Sequence, residues 1–194
     1  DASRCSATKL DFLVTAAENP KVRAWGEIGL DYNRMYSPRE DQERWFKRQL
    51  QIAAELNLPV IFHERDTNGR FLEILKSDFI NKNAGVVHCF SGNVPELESY
   101  LDLDLYIGIT GILTLRGRGA DLREMGPKIP AKRLVVETDA PWLTPAPEKY
   151  HRRRNEPAFV KSVLLKLAEV RNQDPEQLAQ IVWENTCRLY NLEA

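Results

Sequence analysis

Four side chains stand at positions suited to metal chemistry. Glu27, His63, His88 and Asp139 each lie at or just after the end of a short apolar run: Val22 to Ile28, Val60 to Phe62, Gly85 to Cys89 and Leu134 to Val136. Runs of this kind read as parallel strands buried on both faces. In α/β barrels and open α/β sheets, ligands bind at the carboxyl ends of the strands. A strand that is otherwise apolar has no packing reason to end in a histidine or a carboxylate. Two imidazoles with two carboxylates suit a divalent transition metal such as Zn or Mn, and a set dominated by carboxylate oxygens suits Mg. A carboxylate can bridge two ions about 3.5–4 Å apart, which activates water and holds both oxygens of a phosphodiester displacement. Each residue also has a structural reading. A strand-end histidine can serve only as a hydrogen-bonded anchor, and Glu27, following Gly26, can accept bonds from nearby backbone. The metal reading rests on four such strand ends together.

A second constellation is H-R-R-R-N-E-P, residues 151 to 157. Arg152, Arg153 and Arg154 read either as a solvated patch or as a grip on phosphate, whose oxygens a guanidinium matches bidentately. Arg65, two residues past His63, is the better-placed single candidate, and Arg34 follows Glu27 closely. Tyr32, Trp142 and Tyr150 could stack on bases or pack inward, and packing is the expectation for Trp142. His151 has no strand beneath it and is left out of the ligand set.

The elements that must position these residues alternate. Ser37 to Leu56 reads as a helix, with Ser37, Pro38 and Glu40 forming a capping box. Further helices are expected near Asn68 to Lys76, Pro95 to Leu101 and Ala120 to Met125. Leu105 to Ile109 completes a set of five strands. Two helices close the chain, one starting at Pro157 and one capped by Asp174 with Pro175 and Gln177. Strands followed by helices indicate an α/β fold with a parallel sheet. There is no repeat or linker, so residues 1–194 read as a single domain.

The 194 residues carry 27 Lys and Arg against 28 Asp and Glu, for a net charge of -1, with 43% hydrophobic residues. That balance excludes disorder and a basic field over the whole surface, so any grip on nucleic acid must be local. No apolar run approaches the roughly 18 residues needed to span a bilayer, so no membrane partner is expected. The three cysteines, with no C-x-x-C, fit free thiols in a reducing compartment: the cytoplasm, or the nucleus in a eukaryote. Residue 1 is Asp, and the methionines are Met35 and Met125. The chain therefore reads as processed or as part of a longer protein.

Five segments carry a resemblance. Gly26-Glu27-Ile28-Gly29-Leu30-Asp31-Tyr32, Pro59-Val60-Ile61-Phe62-His63-Glu64-Arg65, Val87-His88-Cys89-Phe90-Ser91-Gly92, Glu137-Thr138-Asp139-Ala140-Pro141-Trp142-Leu143 and Arg154-Asn155-Glu156-Pro157 resemble, in order, the signatures of the TatD family. These are metal-dependent deoxyribonucleases of the amidohydrolase superfamily. The resemblance implies a TIM-type (β/α)8 barrel with two divalent ions at its carboxyl mouth. It implies that Glu27 bridges them, that His63 and His88 hold one, and that Asp139 holds the other and orients or deprotonates the water. Arg65 and Arg152–Arg154 would hold phosphate.

The family's H-x-H pair on its first strand is absent, because His63, His88 and His151 are the only histidines. A full barrel takes about 250 residues, so roughly 55 to 65 would be missing at the N-terminus. The chain would then hold strands three to eight, the eighth short or irregular between Asp139 and Pro157. Such a chain is expected to self-associate across its open edges rather than persist as a lone monomer. The expected activity is hydrolysis of DNA phosphodiesters, from an end. Hydrolysis of a small ester, amide or lactone stays open, as does a non-catalytic binding protein that has lost one metal.

Overall fold

The computed structural model describes residues 2–79, 84–146, 148–151 and 153–193. The fold is described as two compact units, Asp1–Val87 and His88–Ala194.

The first unit runs α1 (Ala7–Ala17), β1 (Trp25–Asp31), α2 (Arg39–Glu55), β2 (Val60–Arg65), α3 (Arg70–Asp78) and β3 (Gly85–Val87). β2 pairs in parallel with both β1 and β3. Helix α1 is not foreseen from sequence. The Ser6 side chain caps it by accepting from the Lys9 N–H at 3.3 Å, but only Leu10 is buried on it. Leu10, Leu13, Val14 and Ala17 nonetheless recur on it at helical spacing. The expected capping box of α2 does not form. Pro38 is the N-cap and no side chain caps the helix. Ser37 is drawn inward instead. Its hydroxyl accepts from the Ser3 N–H, and its carbonyl accepts from Gln42 Nε2 at 2.8 Å. Gln42 also bonds both backbone groups of Asp31, which ties the end of β1 to the start of α2. Phe46 of α2 stacks on Phe71 of α3 at 5.2 Å, and Phe62 of β2 meets both rings edge-on. Such pairs add about 0.5–1.5 kcal/mol each beyond their area, and here they seat β2 against two helices.

The β1–β2 register carries the site. Gly26 pairs with Ile61 and Ile28 with Phe62, which leaves Glu27 as an extra residue in β1. A bulge of this kind re-aims a side chain. Beyond it, Gly29 pairs with His63. Residues two apart share a face, so Glu27 and Asp31 flank the position opposite His63.

The second unit runs α4 (Val94–Asp102), β4 (Tyr106–Ile109), α5 (Ala120–Met125), β5 (Leu134–Val136), α6 (Val160–Arg171) and α7 (Pro175–Tyr190). β4 and β5 are parallel. Asn93 and Glu96 form a reciprocal capping box on α4. Asp174 caps α7 by accepting from the Glu176 and Gln177 N–H groups. Pro157 opens a 3-10 turn, and α6 begins only at Val160. Among the described residues between Asp139 and Pro157 there are turns and a 3-10 turn but no strand. Two buried asparagines bracket β5. Asn185 Nδ2 donates to the Ala131 and Leu134 carbonyls at 2.7 and 2.8 Å. Asn155 Nδ2 donates to the Thr138 and Trp142 carbonyls at 2.8 and 2.6 Å.

Cys5, Cys89 and Cys187 are free thiols. Among the described residues no helix is long and apolar enough to cross a membrane.

Gly29 is the most tightly enclosed of the glycines described in the first unit. Its φ is 150°, and a Cβ there would lie 1.8 Å from the His63 carbonyl oxygen. Gly29→Ala must push β1 and β2 apart. It is expected to cost about 3 kcal/mol or more, read as a lowered urea midpoint.

Candidate metal centre

In the first unit the centre is His63. Its ring is 30% exposed, with Nδ1 3.4 Å from Glu27 Oε2 and Nε2 3.3 Å from Asp31 Oδ2. The carboxylates reach opposite ring nitrogens because they sit on either side of Gly29. Hydrogen bonding to Glu27 raises the His63 pKa; burial opposes it, and the charges of Glu27 and Asp31 reinforce it. For Asp31, burial pushes the carboxyl up, but the backbone N–H groups of Arg34 and Asn33 and the His63 ring outweigh it and hold the group below its usual range. A cavity of about 330 Å³ opens here, lined by Glu27, Asp31, Arg34, Gln42 and His63 among others. Arg65 is half-buried and pairs in register with Asp31. Arg34 lies exposed with Nε 4.0 Å from Asp31 Oδ2.

In the second unit the centre is His88, whose side chain is only 10% exposed. Its Nδ1 lies 2.7 Å from Glu137 Oε2, and its Nε2 lies 3.6 Å from Asp139 Oδ1. The other Glu137 oxygen accepts the Cys89 N–H at 2.6 Å. The carboxylate thus grips the ring and the backbone behind it. This is the carboxylate–histidine arrangement that fixes a ligand's tautomer and leaves the second nitrogen for an ion. His88, Cys89 and Asp139 offer ligand atoms all within 4.8 Å of one another. Burial pushes the Cys89 thiol up to about 12, so it is neutral at pH 7 and bonds the Thr110 hydroxyl at 3.4 Å. An imidazole beside a carboxylate is a donor set that fits a divalent ion.

Asp139 and Leu143 both take positive φ, 57° and 54°, costing about 1–3 kcal/mol for a residue such as Leu. Asn155 holds this turn. It is 2% exposed, and its backbone N–H donates to the Pro141 carbonyl at 3.1 Å. Arg153 and Arg154 are exposed beside it, and Arg152 lies outside the described residues. Trp142, read from sequence as a packing residue, is 70% exposed, and Tyr150 is 76% exposed.

Three residues escaped the sequence reading. Asp31 lies on the same strand face as Glu27, four residues on. Glu137 ends β5 two residues before Asp139. Arg118, in the glycine-flanked stretch Arg116-Gly117-Arg118-Gly119, brings a positive charge close enough to lower the Cys89 thiol pKa. A paired arginine between glycines after a strand was the available signal.

The chain matches the family model described as TatD related DNase over residues 1–191. It is 42% identical over 194 residues to the 3′-5′ ssDNA/RNA exonuclease TatD of Salmonella typhimurium, covering 99% of this chain and 75% of that protein. It is 49% identical over 177 residues to the protein of the same name from a Rahnella species, covering 90% of this chain and 67% of that one. Among solved structures, a TatD homologue from Escherichia coli K12 superposes with a TM-score of 0.85 at 31% identity, covering 98% of this chain and 73% of that chain. The parallel α/β, TIM-barrel-type expectation agrees with this likeness.

If Glu137 positions the His88 ring, Glu137→Gln will weaken metal binding by about 10–100-fold with little change in melting temperature. Calorimetric titration of the metal-free chain with Zn(II) or Mn(II) reads this directly.

Proposed function

We propose, for a chain that belongs to the TatD-related DNase family, that it is a metal-dependent nuclease trimming single-stranded nucleic acid from its 3′ end. The supporting observation is the repeated contact at the strand ends: His63 between Glu27 and Asp31, and His88 between Glu137 and Asp139. The activity for which relatives 42% and 49% identical to the chain are named supports the same reading.

In this reading Glu27 and His63 of the first unit, and His88 and Asp139 of the second, would hold divalent metal. Bound ions would supply an activated water and neutralise charge building on the phosphate. The protein's own groups do the rest. Asp31 and Glu137 orient the two imidazoles. Asp139 orients the attacking water and accepts its proton. Arg65, Arg118, Arg153 and Arg154, with Arg152 in the same run, hold the phosphates of the strand. A neutral ester or lactone would leave these guanidinium groups without an anion to hold, so a phosphodiester is the better-matched substrate.

The test is an end-labelled single strand incubated with metal-loaded protein. Products should shorten from the 3′ end, and a chelator should abolish the reaction. His63→Ala and His88→Ala should each lower the rate by more than about 100-fold, since each removes an ion ligand. Full, chelator-insensitive activity in both variants would overturn the proposal. Lack of turnover in the metal-loaded wild type would favour a binding protein instead. Arg153→Gln with Arg154→Gln should reduce the salt slope of strand binding by about 1.4, at roughly 0.7 per phosphate contact on a single strand.

A further inference from the structure

We infer that the Trp142 indole is a stacking platform for the terminal nucleobase of the strand, held beside Asp139 by Asn155. The inference rests on the nuclease reading above and adds how the strand end is seated.

A lone exposed aromatic needs no explanation by itself, but Trp142 is exposed on a backbone that is held unusually firmly. Its N–H donates to the Asp139 carbonyl at 2.8 Å. Its carbonyl accepts from Asn155 Nδ2 at 2.6 Å. The residues on either side of the Ala140–Trp142 segment, Asp139 and Leu143, both sit at positive φ. Buried Asn155 uses every hydrogen-bonding group of its amide here, since its Oδ1 also accepts the Glu156 N–H at 2.9 Å. This holding leaves the largest side chain of the turn 70% in solvent. Among the described residues, its indole makes no ring contact or hydrogen bond.

The surroundings point to a nucleobase as the occupant. Arg153 and Arg154 are exposed immediately before Asn155, so positive charge for a phosphate backbone sits on the segment that the clamp joins to the indole. Tyr150, 76% exposed, ends the 3-10 turn of the same loop. Aromatic faces with arginines are how proteins hold single strands without reading sequence, because every base has a π-face. An enzyme that trims an end must accept whichever base comes next. The turn is bonded directly to the Asp139 carbonyl, so a base stacked on Trp142 belongs to a nucleotide next to the phosphate being cut.

The experiment compares single-stranded oligodeoxynucleotides ending in a normal or an abasic 3′ nucleotide. Their binding to the full chain is measured by fluorescence anisotropy in EDTA, where no cleavage occurs. Wild type should bind the normal end about tenfold tighter, within the range of one stacked base. Trp142→Ala should bind both ends equally, and Trp142→Phe should recover most of the difference. If Trp142→Ala keeps the tenfold preference, or weakens both ends by one common factor, the platform is refuted. The same holds if wild type shows no preference or binds neither strand. The nuclease reading fails separately. Wild type that shows the Trp142-dependent preference yet never trims with metal would keep the platform and lose the enzyme. Trimming with no dependence on Trp142 would do the reverse.

Discussion

An imidazole serves a metal well only when its ring cannot turn and its second nitrogen is held by a partner. The roles proposed for His63 and His88 depend on that constraint. His88 meets it with Glu137 at 2.7 Å on Nδ1, and the same carboxylate is anchored to the Cys89 backbone. His63 meets it between Glu27 and Asp31. Each arrangement needs a carboxylate delivered to within a few tenths of an ångström of a hydrogen bond, so the backbone carrying it must be fixed first. In the first unit this falls to the β1 bulge at Glu27, to Gly29 against the His63 backbone, and to Gln42 on both backbone groups of Asp31. In the second unit it falls to the two asparagines at either end of β5.

The apolar residues support this indirectly. Val60 and Phe62 of β2 are fully buried and place His63 on the opposite face by alternation. The Phe46, Phe62 and Phe71 cluster prevents β2 from sliding. A one-residue slip would turn the His63 ring into the core and expose Phe62, so burial of the phenylalanines is what specifies the face His63 occupies. In the second unit the α6 and α7 residues Val163, Leu167, Leu178 and Val182 are buried, and Asn185 projects from α7 to hold the backbone where β5 begins.

The strand ends were legible because chemistry there contradicts packing: a charged or imidazole group ends an apolar run. β5 and α5 were read with their observed boundaries, since each lies between clear turn residues. α1 carries a legible signal as well, since Ser6 precedes Leu10, Leu13, Val14 and Ala17 at helical spacing, although only Leu10 of it is buried. The Ser37 box was misread because the local signal Ser-x-x-Glu competes with long-range bonds to Ser3 and Gln42, which no window along the chain contains. Asp31 and Glu137 were passed over for the same reason: their partners are residues 32 and 49 positions away. Trp142 was expected inside on hydrophobicity alone. Its exposure follows from Asn155, thirteen residues on, whose bonds hold the turn.

In the proposed site two of the three histidines are poised ligands and the third is not. His151 lies in an exposed turn and serves as the internal reference. Uniformly ¹⁵N-labelled protein titrated with Zn(II) reports all three rings in one long-range nitrogen–proton spectrum. The His63 and His88 ring nitrogens should shift together and saturate, while His151 keeps its metal-free position. A titration in which His151 responds as strongly as the other two, or in which His63 and His88 do not move, would contradict it.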